Sequence, residues 1–227
     1  MRLSRCGLLG DIHTESGRLA HAIDLFRAIS PALDAILFVG DVVDGEGELE
    51  ECVRLLRDAN AIGVRGNHER WLLGGTMRDL PHAHRAEHLA PSTVDFFRAL
   101  PSTRRFETPL GAAMLCHGVD DEDMQRLRPG DDEWEIRQNL PFERLRRRGD
   151  VSLMMGGHTH ERMVRDFGDL VVVNAGTLAR ECADAGCAIV DFDRARATFH
   201  RFVDERLHED GSYPIASGRS FVMPERG

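Results

Sequence analysis

Side chains of the kinds that hold divalent metal ions occur in five short clusters along the chain. The clusters are Asp11 with His13, Asp41 with Asp44, Asn67 with His68 and Glu69, His117, and His158 with His160. Carboxylate, imidazole and carboxamide groups suit ions such as Mn²⁺, Fe²⁺, Zn²⁺ and Co²⁺. Two ions about 3.5–4 Å apart need a bridging carboxylate and several further ligands each. This combination of residue types indicates a site for two metal ions.

The first third of the chain alternates strand and helix patterns, and each strand runs into one of these clusters. Short apolar runs predict strands at RLSRCGLLGD, AILFVGD and AIGVRGN. Helical spacing of apolar residues predicts helices over Ser16–Ser30 and Glu48–Ala59 between them. Such units form parallel sheets, whose ligands bind beyond the carboxyl ends of the strands. We therefore expect the polar clusters to converge at one edge of a sheet.

The middle of the chain is predicted to be mostly helical, and the latter half mostly β. Helix-like patterns cover Glu69–Leu73, Arg85–Leu89 and Ser92–Leu100. Apolar alternation from residue 104 onward predicts three hairpins and one buried strand, VSLMMGG. Residues 120–132 are expected to form an exposed acidic loop, and the alternative for its acidic run is a lid that repels polyanionic substrates. The chain after Arg206 is expected to form a tail or a packed edge segment. With no linker or repeat, residues 1–227 are expected to form one domain.

The composition argues against several classes of protein. The chain has 38 acidic and 29 basic residues and a net charge of −9, which disfavours bulk binding of nucleic acid or anionic membranes. Every basic residue is arginine. Schiff-base enzymes and proteins with Walker phosphate loops both need a lysine, so both classes are excluded. The five cysteines form no C-x-x-C pair, and no apolar run is long enough to span a bilayer. We expect a cytoplasmic protein with reduced thiols. The sequence does not determine its oligomeric state.

The order of the polar clusters resembles that of the calcineurin-like metallophosphoesterase superfamily. The family pattern D-x-H, G-D-x-x-D, G-N-H-[DE], a lone H and G-H-x-H is present from Asp11 to His160. The segment Asn174–Thr177 resembles the family's Asn-Pro-Gly-Ser loop. The resemblance implies the family's α/β fold, which is a four-layer α/β/β/α sandwich. In that fold, two mixed β-sheets pack face to face with helices outside.

The resemblance also implies which residues hold the metal ions. The first ion would be bound by Asp11, His13 and His160, the second by Asn67, His117 and His158, and both by the bridging Asp41. The cofactors would be two divalent ions, with Mn²⁺ favoured over Fe²⁺, Zn²⁺, Co²⁺ or Ni²⁺. A hydroxide shared by the two ions would be the nucleophile, because metal coordination lowers the pKa of water to about 7.

Four residues are implied to act on the substrate. His68 matches the histidine that contacts the phosphate and protonates the leaving oxygen. Asp44 would orient His68 and raise its pKa, because a nearby carboxylate favours the imidazolium. Asn67 would contact the substrate as well as the metal. Arg180 lies where relatives often have an arginine near the substrate cavity.

Arg65 and a group of three histidines each have more than one interpretation. Arg65 precedes the Asn67 motif and could contact phosphate or form a structural salt bridge. His82, His84 and His88 could form an auxiliary metal site, but an exposed helix is the favoured interpretation.

The function implied by the resemblance is metal-dependent hydrolysis of phosphoesters, with small or nucleotide phosphodiesters slightly favoured. Phosphoprotein phosphatases carry an arginine where this chain has Gly45, although RGNHE and CHG are similar to their motifs. The alternatives are a phosphomonoesterase of the protein phosphatase or dinucleoside tetraphosphatase type, and a non-catalytic metal-bound scaffold for protein interactions. The substrate would be a small phosphoester or a phosphoprotein.

Overall fold

The computed structural model describes residues 1–216 and Val222, and it contains two mixed β-sheets packed face to face. The strands of the first sheet, from edge to edge, are β11 (Arg206–Pro214), β10 (Arg196–Val203), β9 (Gly186–Asp191), β1 (Arg5–Leu9), β2 (Ala35–Phe38) and β3 (Ile62–Gly63). β1, β2 and β3 are parallel, whereas β9, β10 and β11 pair antiparallel. The first three strands therefore end at the same edge.

The second sheet has five strands. In spatial order they are β4 (Thr103–Thr108), β5 (Gly111–Cys116), β6 (Leu153–Gly156), β8 (Val171–Ala175) and β7 (Arg162–Asp166). The three central strands are parallel, and the two outer strands pair antiparallel to them. Residues that follow β5 and β6 are therefore brought to the carboxyl edge of this sheet, as the parallel arrangement requires.

Helices cover the outer face of each sheet. They are α1 (Ser16–Ala28), α2 (Leu49–Asp58), α3 (Asn67–Gly74), α4 (Pro91–Ala99), α5 (Glu133–Gln138) and α6 (Leu140–Arg148). The apolar faces of α1, α2 and α4 pack on the first sheet, and those of α5 and α6 pack on the second. No helix within the described residues is both long and apolar enough to cross a bilayer.

Three apolar cores join these layers. One core lies between the sheets and includes Leu8, Leu115 and Val173, all fully buried. Each such side chain contributes roughly 1.5–3 kcal/mol when it is removed from water. On the outer side of the first sheet, the ring of Phe26 lies against Gly7, where an added Cβ would stand 2.6 Å from the ring. Glycine at that position lets α1 approach the sheet closely.

The predicted architecture is confirmed, with one local difference. The helix predicted over Arg85–Leu89 is only a 3₁₀ turn at Ala86–His88, because the preceding residues turn back to contact Asp44. Of the two expectations for the chain after Arg206, the packed edge segment is confirmed, since this segment is the edge strand β11 up to Pro214. The single domain over residues 1–227 stays a prediction, and its last part, residues 217–221 and 223–227, lies outside the described residues.

Candidate active site

The predicted metal ligands meet where strands of both sheets end. Asp11 and Asp41 follow β1 and β2, while His117 follows β5 and His158 lies just beyond β6. Asp41 belongs to two clusters whose ligand atoms lie within 4.8 Å of one another: His13–Asp41–His68 and Asp41–His117–His158. Asp41 is therefore shared by two candidate ligand clusters, as a bridging carboxylate would be. The first cluster contains His68, the predicted proton donor, and does not contain Asp11 or His160, the other ligands implied for the first ion.

The half of the site around His117 is built into the interior. His117 Nε2 lies 2.8 Å from Asn67 Oδ1 and 3.2 Å from Asp41 Oδ2. Its other nitrogen, Nδ1, lies 2.9 Å from the carbonyl oxygen of Val39 and donates a hydrogen bond to it. A histidine held through one nitrogen in this way presents the other to a metal ion.

A ring nitrogen of His158 shows whether a metal ion fits this half of the site. His158 Nε2 is buried and has no hydrogen-bond partner among the residues that the structure describes. A buried polar atom without a partner is costly, and here it lies in a cluster with Asp41 and His117. A divalent ion would satisfy all three side chains, so the residues present fit the group.

The half around His13 and His160 faces a cavity. The Nε2 atoms of the two rings are 3.1 Å apart, a separation that suits two lone pairs directed at one cation. His13 Nδ1 is 2.9 Å from the carbonyl oxygen of Asp44 and donates to it. Asp11 Oδ2 lies 3.9 Å from His160 Nε2 and accepts a hydrogen bond of 3.0 Å from the backbone N–H of His158.

The electrostatics of the metal-free site show where positive charge is needed. Burial alone would lower the pKa of His117, but the adjacent Asp41 outweighs it and raises the pKa to about 10. Reciprocally, His117 holds the pKa of Asp41 well below its usual value, although burial opposes the shift. Burial and the charge of His117 lower the pKa of His158 to about 4. A proton on His117 thus occupies the place between carboxylate and imidazole that an ion would take.

A buried glutamate fixes the loop that carries Asp41. The carboxylate of Glu69 accepts hydrogen bonds from the backbone N–H groups of Asp41, Val42, Val43 and Gly66, at 2.6–3.1 Å. These bonds satisfy the N–H groups that the loop after β2 turns inward. Glu69 is therefore a positioning residue for Asp41.

Backbone strain is concentrated at the site. The non-glycine residues with positive φ include His13, Asp41, Asp44, His158 and His160, with φ between 43° and 69°. Such conformations are uncommon and persist only where the surrounding structure fixes them. They are found here at five of the predicted site residues.

The predicted pair of His68 and Asp44 is formed. His68 Nδ1 lies 2.8 Å from Asp44 Oδ2, and His68 Nε2 lies 3.9 Å from Asp41 Oδ2. Burial opposes protonation of His68, but the hydrogen bond to Asp44 outweighs it and raises the pKa of the imidazole. His68 can therefore carry a proton on the nitrogen that faces the metal cluster.

Sequence reasoning missed Arg78, which holds Asp44. Both terminal nitrogens of its guanidinium donate to the Asp44 carboxylate at 2.9 Å, and its side chain is 6 % exposed. The backbone N–H of His84 donates to the same carboxylate at 2.8 Å. Burial would raise the pKa of Asp44, but His68, His84 and Arg78 together hold it well below its usual value.

The other histidines of this segment do not form a metal cluster within the described residues. His84 lies on Asp44, and His82 pairs with Glu46 at 3.2 Å. The helix on which His84 and His88 were expected to lie one turn apart is not formed, and only a 3₁₀ turn at Ala86–His88 is present.

The Asn174–Thr177 loop supports the metal ligands from the second sheet. Asn174 Nδ2 donates to the carbonyl oxygen of Gly157 at 3.0 Å, and Thr177 Oγ1 donates to that of Asp11 at 2.8 Å. Both contacts hold backbone next to predicted ligands. The loop therefore positions the site and does not itself reach into it.

Arg180 lines the cavity but already has a partner. Its guanidinium donates to both carboxylate oxygens of the buried Glu15, at 2.7 and 2.8 Å. Arg65 lies beside His117 in a second, smaller cavity of about 300 Å³. The substrate-binding role of Arg180 stays a prediction.

The cavity in front of the metal cluster has a volume of about 670 Å³. Its wall combines the predicted site residues with Trp71, Pro81 and His82 on one side and Met124 and Arg126 from the loop after β5. This is room for a substrate larger than a phosphate group.

Comparison with known proteins identifies the family. The model of the calcineurin-like phosphoesterase family matches residues 4–162, which is more than half of the chain. The chain therefore belongs to the calcineurin-like phosphoesterases, and the resemblance seen in its motifs is confirmed. Comparison with curated proteins finds no match.

Solved structures share the fold at low sequence identity. A metallophosphoesterase from Sphaerobacter thermophilus is 20 % identical with a TM-score of 0.65, and 89 % of each chain is covered. An archaeal phosphodiesterase is 17 % identical with a TM-score of 0.55, covering 91 % of this chain and 98 % of that one. Zinc-complexed Vps29 from Entamoeba histolytica is 14 % identical with a TM-score of 0.54, covering 93 % and 99 %. These likenesses show the four-layer fold.

Proposed function

We propose that the protein hydrolyses small or nucleotide phosphodiesters at a centre of two divalent metal ions, of which Mn²⁺ is the favoured ion. The observation that carries this proposal is the position of Asp41, which both candidate ligand clusters share. The ligands would be those that the motifs imply: Asp11, His13, Asp41, Asn67, His117, His158 and His160. Bound ions would supply Lewis-acid chemistry, activating water and neutralising charge on the phosphoryl oxygens.

The chain's own residues supply the proton and the orientation. His68 Nε2 is the free nitrogen of a ring whose Nδ1 is held by Asp44, and it points toward the cluster at Asp41. It would give its proton to the leaving oxygen, while Arg78 and Asp44 keep the ring in place. The elevated pKa of His68 keeps that proton available near neutral pH.

The preference for a diester is supported by two positions on the cavity wall. Gly45 stands where phosphoprotein phosphatases have an arginine for the phosphate, and Arg180 is bound to Glu15. A diester carries one negative charge on its phosphoryl group and needs less cationic support than a monoester dianion. The alternative within the same chemistry is a phosphomonoesterase.

A different class of function is a metal-bound scaffold without turnover. The likeness to Vps29 keeps this alternative open. Against it, the His68–Asp44 pair is complete and reinforced by Arg78, an arrangement that a scaffold would not need.

The environment that we propose is the cytoplasm. All five cysteines lie within residues 1–216 and are free, and four of them are buried. Burial raises the pKa of Cys6, Cys52, Cys116 and Cys187 and keeps them protonated and unreactive. Free thiols are typical of a reducing compartment.

The test compares bis-p-nitrophenyl phosphate with p-nitrophenyl phosphate, each with Mn²⁺ and with the other first-row divalent ions. We expect Mn²⁺-dependent turnover with higher kcat/KM for the diester. A higher kcat/KM for the monoester would assign the phosphomonoesterase alternative. No turnover of either ester with any ion, in protein that binds metal, would support the scaffold.

A further inference from the structure

The acidic loop between β5 and α5 is held in place by ion pairs. Arg70, on α3, donates to both carboxylate oxygens of Asp123 at 2.6 and 2.8 Å. Arg148, at the end of α6, does the same to Asp120 at 2.9 and 3.2 Å. The loop is thus tied to one helix beside the site and to another on the second sheet. The expected acidic loop is confirmed, but its charges are partly paired.

These ties fix where Arg126 stands. The side-chain amide of Asn139 donates to the carbonyl oxygen of Arg126 at 2.8 Å, which anchors the backbone of that residue. The side chain of Arg126 is exposed and lines the 670 Å³ cavity, next to Met124. Arg126 therefore lines the same cavity as His158 and His160.

Arg126 differs from the other arginine of the cavity wall in having no counter-ion in the part of the chain that the structure describes. Arg180 is paired with Glu15, whereas no carboxylate within residues 1–216 or at Val222 forms an ion pair or hydrogen bond with the side chain of Arg126. Five donors of a guanidinium are thus available to a ligand. An unpaired arginine suits recognition of a phosphoryl group, which it can bind through two parallel hydrogen bonds.

We propose that Arg126 binds a second phosphoryl group next to the scissile one, so that the preferred substrates contain a diphosphate. This inference deepens the proposed function and rests on it. The cavity volume accommodates such a group, and the tied loop means that only the side chain of Arg126, and not its backbone, must be ordered on binding.

The test measures binding of AMP and of ADP, which differ by one phosphoryl group, by calorimetry in Mn²⁺-loaded protein. We expect Arg126→Gln to raise the Kd of ADP about tenfold. This is the lower end of the range for losing a charge-assisted hydrogen bond, because solvent screens an exposed residue. The Kd of AMP should change much less. Arg126→Lys, which keeps the charge but not the fork, should lie between Arg126→Gln and the unaltered protein.

Arg128→Gln is the matched control, because it removes the same charge from the same loop outside the cavity wall. It should leave both Kd values unchanged. Chelation of Mn²⁺ by ADP in solution is the same for all variants and cancels in the comparison. Equal weakening of AMP and ADP by Arg126→Gln, or an effect of Arg128→Gln as large, would overturn the inference.

The outcomes separate this inference from the proposed function. If bis-p-nitrophenyl phosphate is turned over and the ratio of ADP to AMP affinity does not depend on Arg126, only the inference is wrong. If no ester is turned over and ADP binding still depends on Arg126, the proposed hydrolysis is wrong and the binding site remains.

Discussion

The two halves of the candidate metal centre differ in how deeply they lie in the fold. Asn67 and His117 are each 1 % exposed, and the ring of His117 is hydrogen-bonded to Val39 at the end of a core strand. The side chain of His160 is 32 % exposed and lines the cavity together with His13. One half lies deeper in the interior, and the other is more open to the cavity.

This difference predicts that the two ions differ in affinity and in exchange rate. Ligands locked by packing and hydrogen bonds lose little freedom when they bind a metal, so the ion beside His117 should bind more tightly and exchange more slowly. The ion beside His160 should be the more labile one and the one most open to substrate.

Asp41 joins the two halves, so Asp41→Asn should affect both. We expect kcat/KM to fall more than about 100-fold, which is the upper range for residues that only support a ligand. Metal content, measured by mass spectrometry, should fall from two ions to one or fewer. Asp11→Asn is the control, and it should lose less metal and less activity. An equal or smaller loss in Asp41→Asn would contradict the bridging role.

His68→Ala should remove the proton donor and leave both halves able to hold metal. We expect kcat on a diester with a poor leaving group to fall about 10²–10⁴-fold, the usual contribution of general acid catalysis. The loss should be smaller with p-nitrophenolate, which leaves without a proton. Near-full turnover of the poor substrate would remove the acid role from His68.

Arg78→Met should disturb the exposed half through Asp44 and through the backbone of Thr76 and His84, whose carbonyl oxygens also accept from Arg78. Because Arg78 positions other groups and does not reach the reacting atoms, we expect about a tenfold fall in kcat with little change in KM, the lower range for a residue that supports a functional group. Arg78→Lys should restore part of the rate. Arg85→Met, an exposed change on the same segment, is the control. An equal fall in kcat in Arg85→Met and in Arg78→Met would point to general disruption of the segment and contradict the positioning role of Arg78.

The pH dependence of metal binding should distinguish the buried half. The folded-state pKa of His117, about 10 in the metal-free protein, exceeds its ordinary value of 6.5. Its proton must leave before a metal binds, so affinity should rise with pH, by about tenfold per unit for one released proton. The same shift stabilises the metal-free protein fully below pH 6.5, and this stabilisation is lost as pH rises toward 10. Calorimetry in buffers of different ionisation enthalpy measures the proton release.

The motifs predicted the members of the site because each ligand follows a strand, and parallel strands bring their carboxyl ends together. The apolar runs predicted strands of both sheets, whereas the pairing of two sheets in a sandwich was implied by the resemblance to the family. Roles that depend on position within the site, such as those of His68 and Arg180, were implied by resemblance and stay predictions. The pairing of Arg180 with Glu15 could not be seen in the sequence, since 165 residues separate them.

Arg78 and Arg126 escaped prediction for a related physical reason. Both lie in irregular segments, where no periodicity says which way a side chain points. Arg78 reaches Asp44 across 34 residues, and Arg126 takes its place only because Arg70 and Arg148 tie the surrounding loop. Contacts made by loops depend on the assembled fold, and local sequence patterns carry no record of them.

The most direct test of the account is anomalous diffraction from crystals grown with Mn²⁺. The account predicts two peaks about 3.5–4 Å apart, with one carboxylate oxygen of Asp41 bound to each ion and the stronger peak beside His117. A single ion, no ion, or a pair that Asp41 does not bridge would contradict it.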